Sequence, residues 1–172
     1  MSITDKILSI DPSSSTCGYA VFAAGGKLID AGLAKPHRAT DVPNTRIDAM
    51  IADLIAVVDE HQPDVIVIED TSGRVYKRHG AGGGRGLAIY GKAIGEVRRA
   101  MIHTGRRVVM VLEDAWTGKA EKSKRLRWVA AAYPQYKPAD DPGGDMGDAI
   151  GLGYWYRNAA AMVVIVEKAG TA

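Results

Sequence analysis

Apolar positions along this chain follow two spacings that alternate. Ile7, Leu8 and Ile10 belong to a run, KILSI, that stops at Asp11. A Pro-Ser turn follows, then a second apolar run, GYAVFAA. Gly25-Gly26 is a hairpin signal, and KLIDAGLA supplies a third run, so three antiparallel strands open the chain. The spacing then changes: Ile47, Ile51, Leu54, Ile55 and Val58 recur at helical intervals, and Pro63 ends that helix. DVIVIED is a continuous apolar run bounded by acids, the pattern of a buried parallel strand. Thr71 to Gly86 (TSGRVYKRHGAGGGRG) is almost free of apolar residues and reads as a long functional loop. After it come a helix with Leu87, Ile94, Val97 and Met101 on one side, a buried strand RRVVMVLED, and a basic helix KAEKSKRLRWVAAAY. A turn-rich connector, PQYKPADDPGG, leads to a last helix, DMGDAIGLGYWYRNAAAM. The order βββαβαβαα predicts an α/β fold: a mixed five-stranded sheet flanked by helices, in one domain over 1–172.

Composition adds limits. The 172 residues suffice for a packed core, and the single cysteine, Cys17, excludes a disulfide framework within the chain and fits a reducing, cytoplasmic setting. Its place in an apolar run makes it core filler. MSITDK has no signal-peptide pattern, and the longest apolar stretch, AAAMVVIV, is far short of the ~20 residues that span a bilayer, so no membrane partner is expected. Net charge is +2 but unevenly placed: residues 71–128 carry 14 Lys/Arg against 4 Asp/Glu, whereas residues 1–70 carry 5 against 11. A basic middle beside an acidic part suits a polyanion partner next to a cation-binding carboxylate site.

Four acids stand apart from those on helix surfaces. Asp11 ends the first strand, Glu69 ends the fourth, and Asp145 and Asp148 share a face at the start of the last helix. Each has a structural explanation alone: Asp-Pro is good turn chemistry, and acids complement the positive end of a helix. Together they describe clustered carboxylates, whose repulsion a divalent cation removes. Two cations roughly 4 Å apart would clamp the attacking and leaving oxygens of a phosphodiester. Glu113, Asp114 and Asp70 are weaker candidates, because alternation turns Asp70 away from Glu69. GLAIYGK imitates a phosphate loop but lacks the Ser/Thr after its lysine, and the four histidines have no ligand spacing. Gly91 and Gly95, four apart, would allow close helix approach, within the protomer or across a dimer.

With those residues in place, the chain resembles a known family. ILSIDPSSSTCGYAVF is similar to the opening motif of RuvC-type Holliday junction resolvases, QPDVIVIED to their second motif, KAEKSKRLRWVA to their lysine-bearing helix, and DPGGDMGDAIGLGYW to their acid-x-x-acid-Ala helix. The resemblance covers roughly residues 5–158. It implies an RNase H-like fold, a homodimer, and a Mg²⁺-dependent endonuclease (two ions per site, Mn²⁺ as a substitute) that nicks four-way DNA junctions symmetrically in recombination and repair. It also implies that Asp11, Glu69, Asp145 and Asp148 are the metal-binding catalytic acids and that Lys122 acts at the scissile phosphate. Arg74, Tyr76, Lys77, Arg78, Arg85, Lys119 and Lys124, in the basic loop and helix, are the expected DNA contacts, with Tyr76 placed to stack on a base.

The chain departs from the family at Ser13, where a glycine is usual, and at Thr71-Ser72-Gly73, where the bacterial enzymes carry a phenylalanine. Those departures suit a phage or plasmid-borne member with broader branched-DNA activity. The competing readings are an RNase H-like nuclease acting on flaps or RNA–DNA hybrids, and a junction-binding protein without chemistry. An actin-like ATPase shares the first hairpin but needs a second lobe that this length does not provide.

Overall fold

A computed structural model describes residues 5–36, 42–71, 83–159 and 165–167, with the backbone alone for 83–85 and 165–167. The three opening strands are β1 (Ile7–Pro12), β2 (Cys17–Phe22) and β3 (Leu28–Ala34). They form the expected antiparallel meander, with Ile7 opposite Phe22 and Cys17 opposite Ala34. Helix α1 (Pro43–His61) ends at Gln62, which takes a left-handed conformation (φ 47°) just before Pro63. Strand β4 (Val65–Asp70) then returns beside β1 in parallel, and β5 (Arg107–Leu112) lies parallel to β4. Helix α2 (Gly83–His103) crosses between those two strands. Next come α3 (Glu113–Thr117), α4 (Lys122–Ala132) and α5 (Asp145–Asn158), with a 3-10 turn at Pro138–Asp140. A short strand β6 (Ile165–Glu167) pairs antiparallel with β5, giving the sheet order β3-β2-β1-β4-β5-β6.

Alternation along the central strands makes two cores. Leu8 and Ile10 of β1 and Ile66 and Ile68 of β4 pack toward α1 and α2, with Met50, Leu54, Val97 and Met101. Ile7, Val65, Val67 and Val109 pack toward α4 and α5, with Phe22, Trp116, Ile150 and Leu152. Cys17 is fully buried in the first core beside Met50, as filler. Each such side chain removed from water contributes on the order of 1.5–3 kcal/mol. Glu69 has the parity of Val65 and Val67, so it faces the α5 side. Asp70 has the parity of Ile66 and Ile68 and is turned away, as alternation requires.

Four element boundaries differ from the sequence reading. Helix α2 starts at Gly83 rather than Leu87; Gly83, Gly84 and Gly86 have no side-chain periodicity to announce a first turn. Glu113 and Asp114 do not extend β5; they form the first turn of α3, where acids complement the helix dipole. The basic helix starts at Lys122, because Gly118 and Lys119 both take left-handed backbone (φ 56° and 63°) and no helix runs through them. Helix α5 stops at Asn158, and the β-branched tail adds the sixth strand on the open edge of β5. Among the described residues, no helix is long and apolar enough to cross a membrane.

Candidate active site

Pairing between β1 and β4 runs up to Ile10 opposite Ile68, so Asp11 and Glu69 take the next rung of two adjacent central strands. Both lie on the α5 side, and both are buried, at 6% exposure each. Helix α5 delivers the other two acids from above. Its carrier position is set by backbone contact: a Cβ on Gly18 of β2 would stand 1.9 Å from the carbonyl oxygen of Asp145, so only glycine lets strand and helix meet there. Ser9 Oγ fastens the next turn by donating to the Ala149 carbonyl at 2.7 Å. The N-terminus of α5 is tied down by Asp141, whose carboxylate accepts from the amides of Gly147 (2.8 Å) and Met146 (3.3 Å) and from the Tyr136 hydroxyl (3.0 Å). The structure thus brings together all four acids proposed from the sequence, at the carboxyl ends of β1 and β4.

The basic residues of α4 complete the cluster. Lys122, at the first turn of α4, lays its aliphatic stem over Gly144. Its Nζ donates to Asp145 Oδ1 at 3.3 Å and lies 3.1 Å from Asp148 Oδ2. Arg125, one turn on, grips Asp148 with two bonds: Nε to Oδ1 at 3.0 Å and Nη2 to Oδ2 at 2.9 Å. Its third nitrogen, Nη1, donates to the Ala120 carbonyl at 2.7 Å. The guanidinium also stands 5.1 Å over the ring of Trp116. Trp116 in turn donates Nε1–H to Glu69 Oε2 at 2.6 Å. Thr16 Oγ1 donates to Asp145 Oδ2 at 2.5 Å.

Asp11 differs from its neighbours. Among the described residues no hydrogen bond or ion pair reaches its carboxyl. Burial, reinforced by Glu69, Asp148 and Asp145, pushes its pKa well above the carboxylate range, against a smaller opposing pull from Lys122. Glu69 is pushed up to about 7 by burial and by Asp148, with the Trp116 hydrogen bond holding it lower than burial alone would. Burial would lower the pKa of Lys122, but Asp148, Asp11 and Asp145 outweigh it and raise it. Arg125 is raised in the same way by its bonds to Asp148.

These oxygens are a hard donor set, and a buried carboxyl beside three others, with no partner among the described residues, is what a divalent cation stabilises. The residues present therefore fit Mg²⁺ or a similar ion. Among the described residues no three acidic, histidine or cysteine side chains yet converge to enclose one. Arg125 and Lys122 take the oxygens of Asp148, and Trp116 takes one of Glu69.

Three members of the cluster escaped the sequence reading: Thr16, Trp116 and Arg125. Only Arg125 carried a signal, its i, i+3 spacing from Lys122. The expected DNA contacts are divided. Lys119 is exposed on the connector before α4, and Lys124 is exposed on α4, 3.7 Å from Glu121. Arg74, Tyr76, Lys77 and Arg78 lie outside the described residues, as does the side chain of Arg85. GLAIYGK lies inside α2, so it forms no phosphate loop. Added Cβ atoms at Gly91 and Gly95 of α2 would meet nothing within 4 Å among the described residues.

Comparison with known proteins agrees with this geometry. Residues 7–131 match the family model described as crossover junction endodeoxyribonuclease RuvC. A crossover junction endodeoxyribonuclease RuvC of Geotalea uraniireducens (strain Rf4) is 27% identical over 173 residues, covering 96% of this chain and 97% of the relative. The structure of T. thermophilus RuvC in complex with Holliday junction substrate superposes with a TM-score of 0.69 at 20% identity, over 91% of this chain and 94% of that one. A structure of Thermus thermophilus RuvC reaches a TM-score of 0.65 at 18% identity, over 93% of this chain and 99% of that one, and a fowlpox virus resolvase in complex with Holliday junction DNA reaches 0.54 at 14% identity, over 91% of this chain and 99% of that one. The mixed sheet, the acids at its edge and the match across 7–131 lead to one conclusion: this chain belongs to the RuvC family of crossover junction endodeoxyribonucleases.

Proposed function

We propose that the protein is a divalent-metal-dependent, structure-selective endonuclease that resolves Holliday junctions by paired symmetric nicks, working as one nuclease domain per protomer. The observation that carries the reading is Asp11: buried, with no bond to its carboxyl among the described residues, and facing three further acids at the carboxyl ends of the central strands. Asp11, Glu69, Asp145 and Asp148 are the ligands in this reading. A bound Mg²⁺ or Mn²⁺ supplies a more acidic water and stabilises charge on the phosphate oxygens. Around it, the chain's own residues hold the geometry. Trp116 orients Glu69, Thr16 orients Asp145, and Lys122 stands half-exposed at the mouth of the cluster, where its cation meets a phosphate. The exposed Lys119 and Lys124 extend that positive rim along the backbone of a branched DNA.

A homodimer is part of the proposal. A four-way junction has near two-fold symmetry, so two nicks on opposed strands call for two sites related the same way. The face of α2 bearing Leu87, Gly91 and Gly95 is exposed in the protomer and small enough at its glycines for a second helix to approach closely.

One labelled four-way junction and a linear duplex of the same sequence test the function. With Mg²⁺, the expected result is a pair of symmetric nicks in the junction alone, absent with Asp11→Asn. Equal cutting of both substrates would refute junction selectivity. Tight junction binding with no cutting under Mg²⁺ or Mn²⁺ would refute the enzyme.

A further inference from the structure

Within the cluster both oxygens of Asp148 are engaged by cationic side chains. Arg125 takes both of its oxygens in fork geometry, and Lys122 stands 3.1 Å from Oδ2. The pair is well shielded from water, the two side chains being 15% and 5% exposed, so it is more than a surface ion pair. A cation that ligates Asp148 directly has to displace at least one of those bonds, because Arg125 and Lys122 already occupy both of its oxygens. Arg125 is built to yield without leaving. Its Nη1 bond to the Ala120 carbonyl and its stacking on Trp116 are independent of Asp148 and keep the guanidinium tethered beside the site.

We propose that Arg125 is an internal counter-ion that competes with the divalent metal for Asp148, so that metal entry exchanges the arginine for the cation. The inference rests on the metal-site reading above. Arg125 is a positioning residue in this role: it stabilises the acids before loading and sets the metal concentration at which loading occurs.

The test is Mg²⁺ binding by calorimetry to the DNA-free protein, with no turnover involved. Arg125→Gln should bind Mg²⁺ with a half-saturating concentration about tenfold lower than wild type, the scale of a lost charge-assisted bond. Arg125→Lys keeps the charge, loses the fork, and should shift in the same direction by less; it also serves if the glutamine variant does not fold by circular dichroism. Lys124→Gln removes the same charge from the same helix without touching Asp148 and should leave the affinity unchanged. Unchanged or weaker Mg²⁺ binding in folded Arg125 variants would overturn the proposal. Equal tightening in Lys124→Gln would overturn it too, because general electrostatics would then explain the effect. Asp148→Asn separates the two readings. If wild type binds Mg²⁺ no better than this variant, the metal site itself fails. If only the arginine variants are silent, the site stands and the competition fails.

Discussion

Trp116→Phe isolates the hydrogen bond that holds Glu69. The indole Nε1–H lies 2.6 Å from Glu69 Oε2, and its six-membered ring packs under Gly151 of α5, where a Cβ would stand 2.9 Å from Cζ3. Phenylalanine keeps the aromatic slab but loses the donor and part of the volume. The lost volume, roughly 40 Å³ at about 24 cal/mol per Å³, costs about 1 kcal/mol at any pH. The hydrogen bond to an ionised carboxylate is worth about 1.5–3 kcal/mol, against about 1 kcal/mol to the neutral acid. Glu69 has its pKa raised to about 7, and Trp116 is a lowering influence on it, so the variant's Glu69 ionises at still higher pH. The sign follows from proton binding. A raised carboxyl pKa stabilises the fold on the acid side, and that contribution is lost as pH rises from the unfolded value of 4.5 through the folded value. In the variant the loss continues further. Urea denaturation without metal should therefore show Trp116→Phe about 2 kcal/mol less stable at pH 5 and about 2.5–4 kcal/mol less stable at pH 8.5. A difference that does not grow with pH would refute the argument, because it would mean the indole fills space and does not bond the ionised acid.

Other consequences are open to simpler measurement. Asp11→Asn removes a buried ionisable carboxyl facing three others, so it should raise the melting temperature at pH 8 without added metal while abolishing cleavage; a fall in melting temperature would mean that the carboxyl has a structural partner. Gly18→Ala puts a methyl group 1.9 Å from the Asp145 carbonyl oxygen, so it should cost at least 2–3 kcal/mol and impair Mg²⁺ binding together; loss of neither would place the helix further from the strand. Asp141→Ala frees two amides at the start of α5 and the Tyr136 hydroxyl, and should lower stability by about 1–2 kcal/mol in chemical denaturation, with rescue by Asp141→Asn.

What could be read from the residues alone divides along a physical line. Asp11 and Glu69 were legible because each ends an apolar run, and a strand's end is a place the backbone fixes. Asp145 and Asp148 were legible because a spacing of three puts both on one helix face. Trp116 was not legible, since nothing in EDAWT says that the chain turns into a short helix and aims an indole at Glu69. Arg125 looked like one basic residue among several on α4; which face of that helix meets α5 depends on Gly144 and Gly147, over which Lys122 and Leu126 pack. The strand β6 was missed because AAAM continues a helical pattern into a tail that pairs with β5 instead.

The close approach of Gly18 to Asp145 divides the site into two parts with different freedom to vary. Asp145 and Asp148 ride on a helix whose backbone touches Gly18 of β2, and Gly18 pairs with Asp11 of β1, so a substitution that shifts one shifts all, and this part is inherited or lost as a unit. Trp116, Lys122 and Arg125 hang from α3 and α4, joined through the left-handed pair Gly118 and Lys119, and reach the acids by side chains alone. In the proposed reading, selection can retune metal demand or substrate range on that outer strip, one residue at a time, without disturbing the four carboxylates.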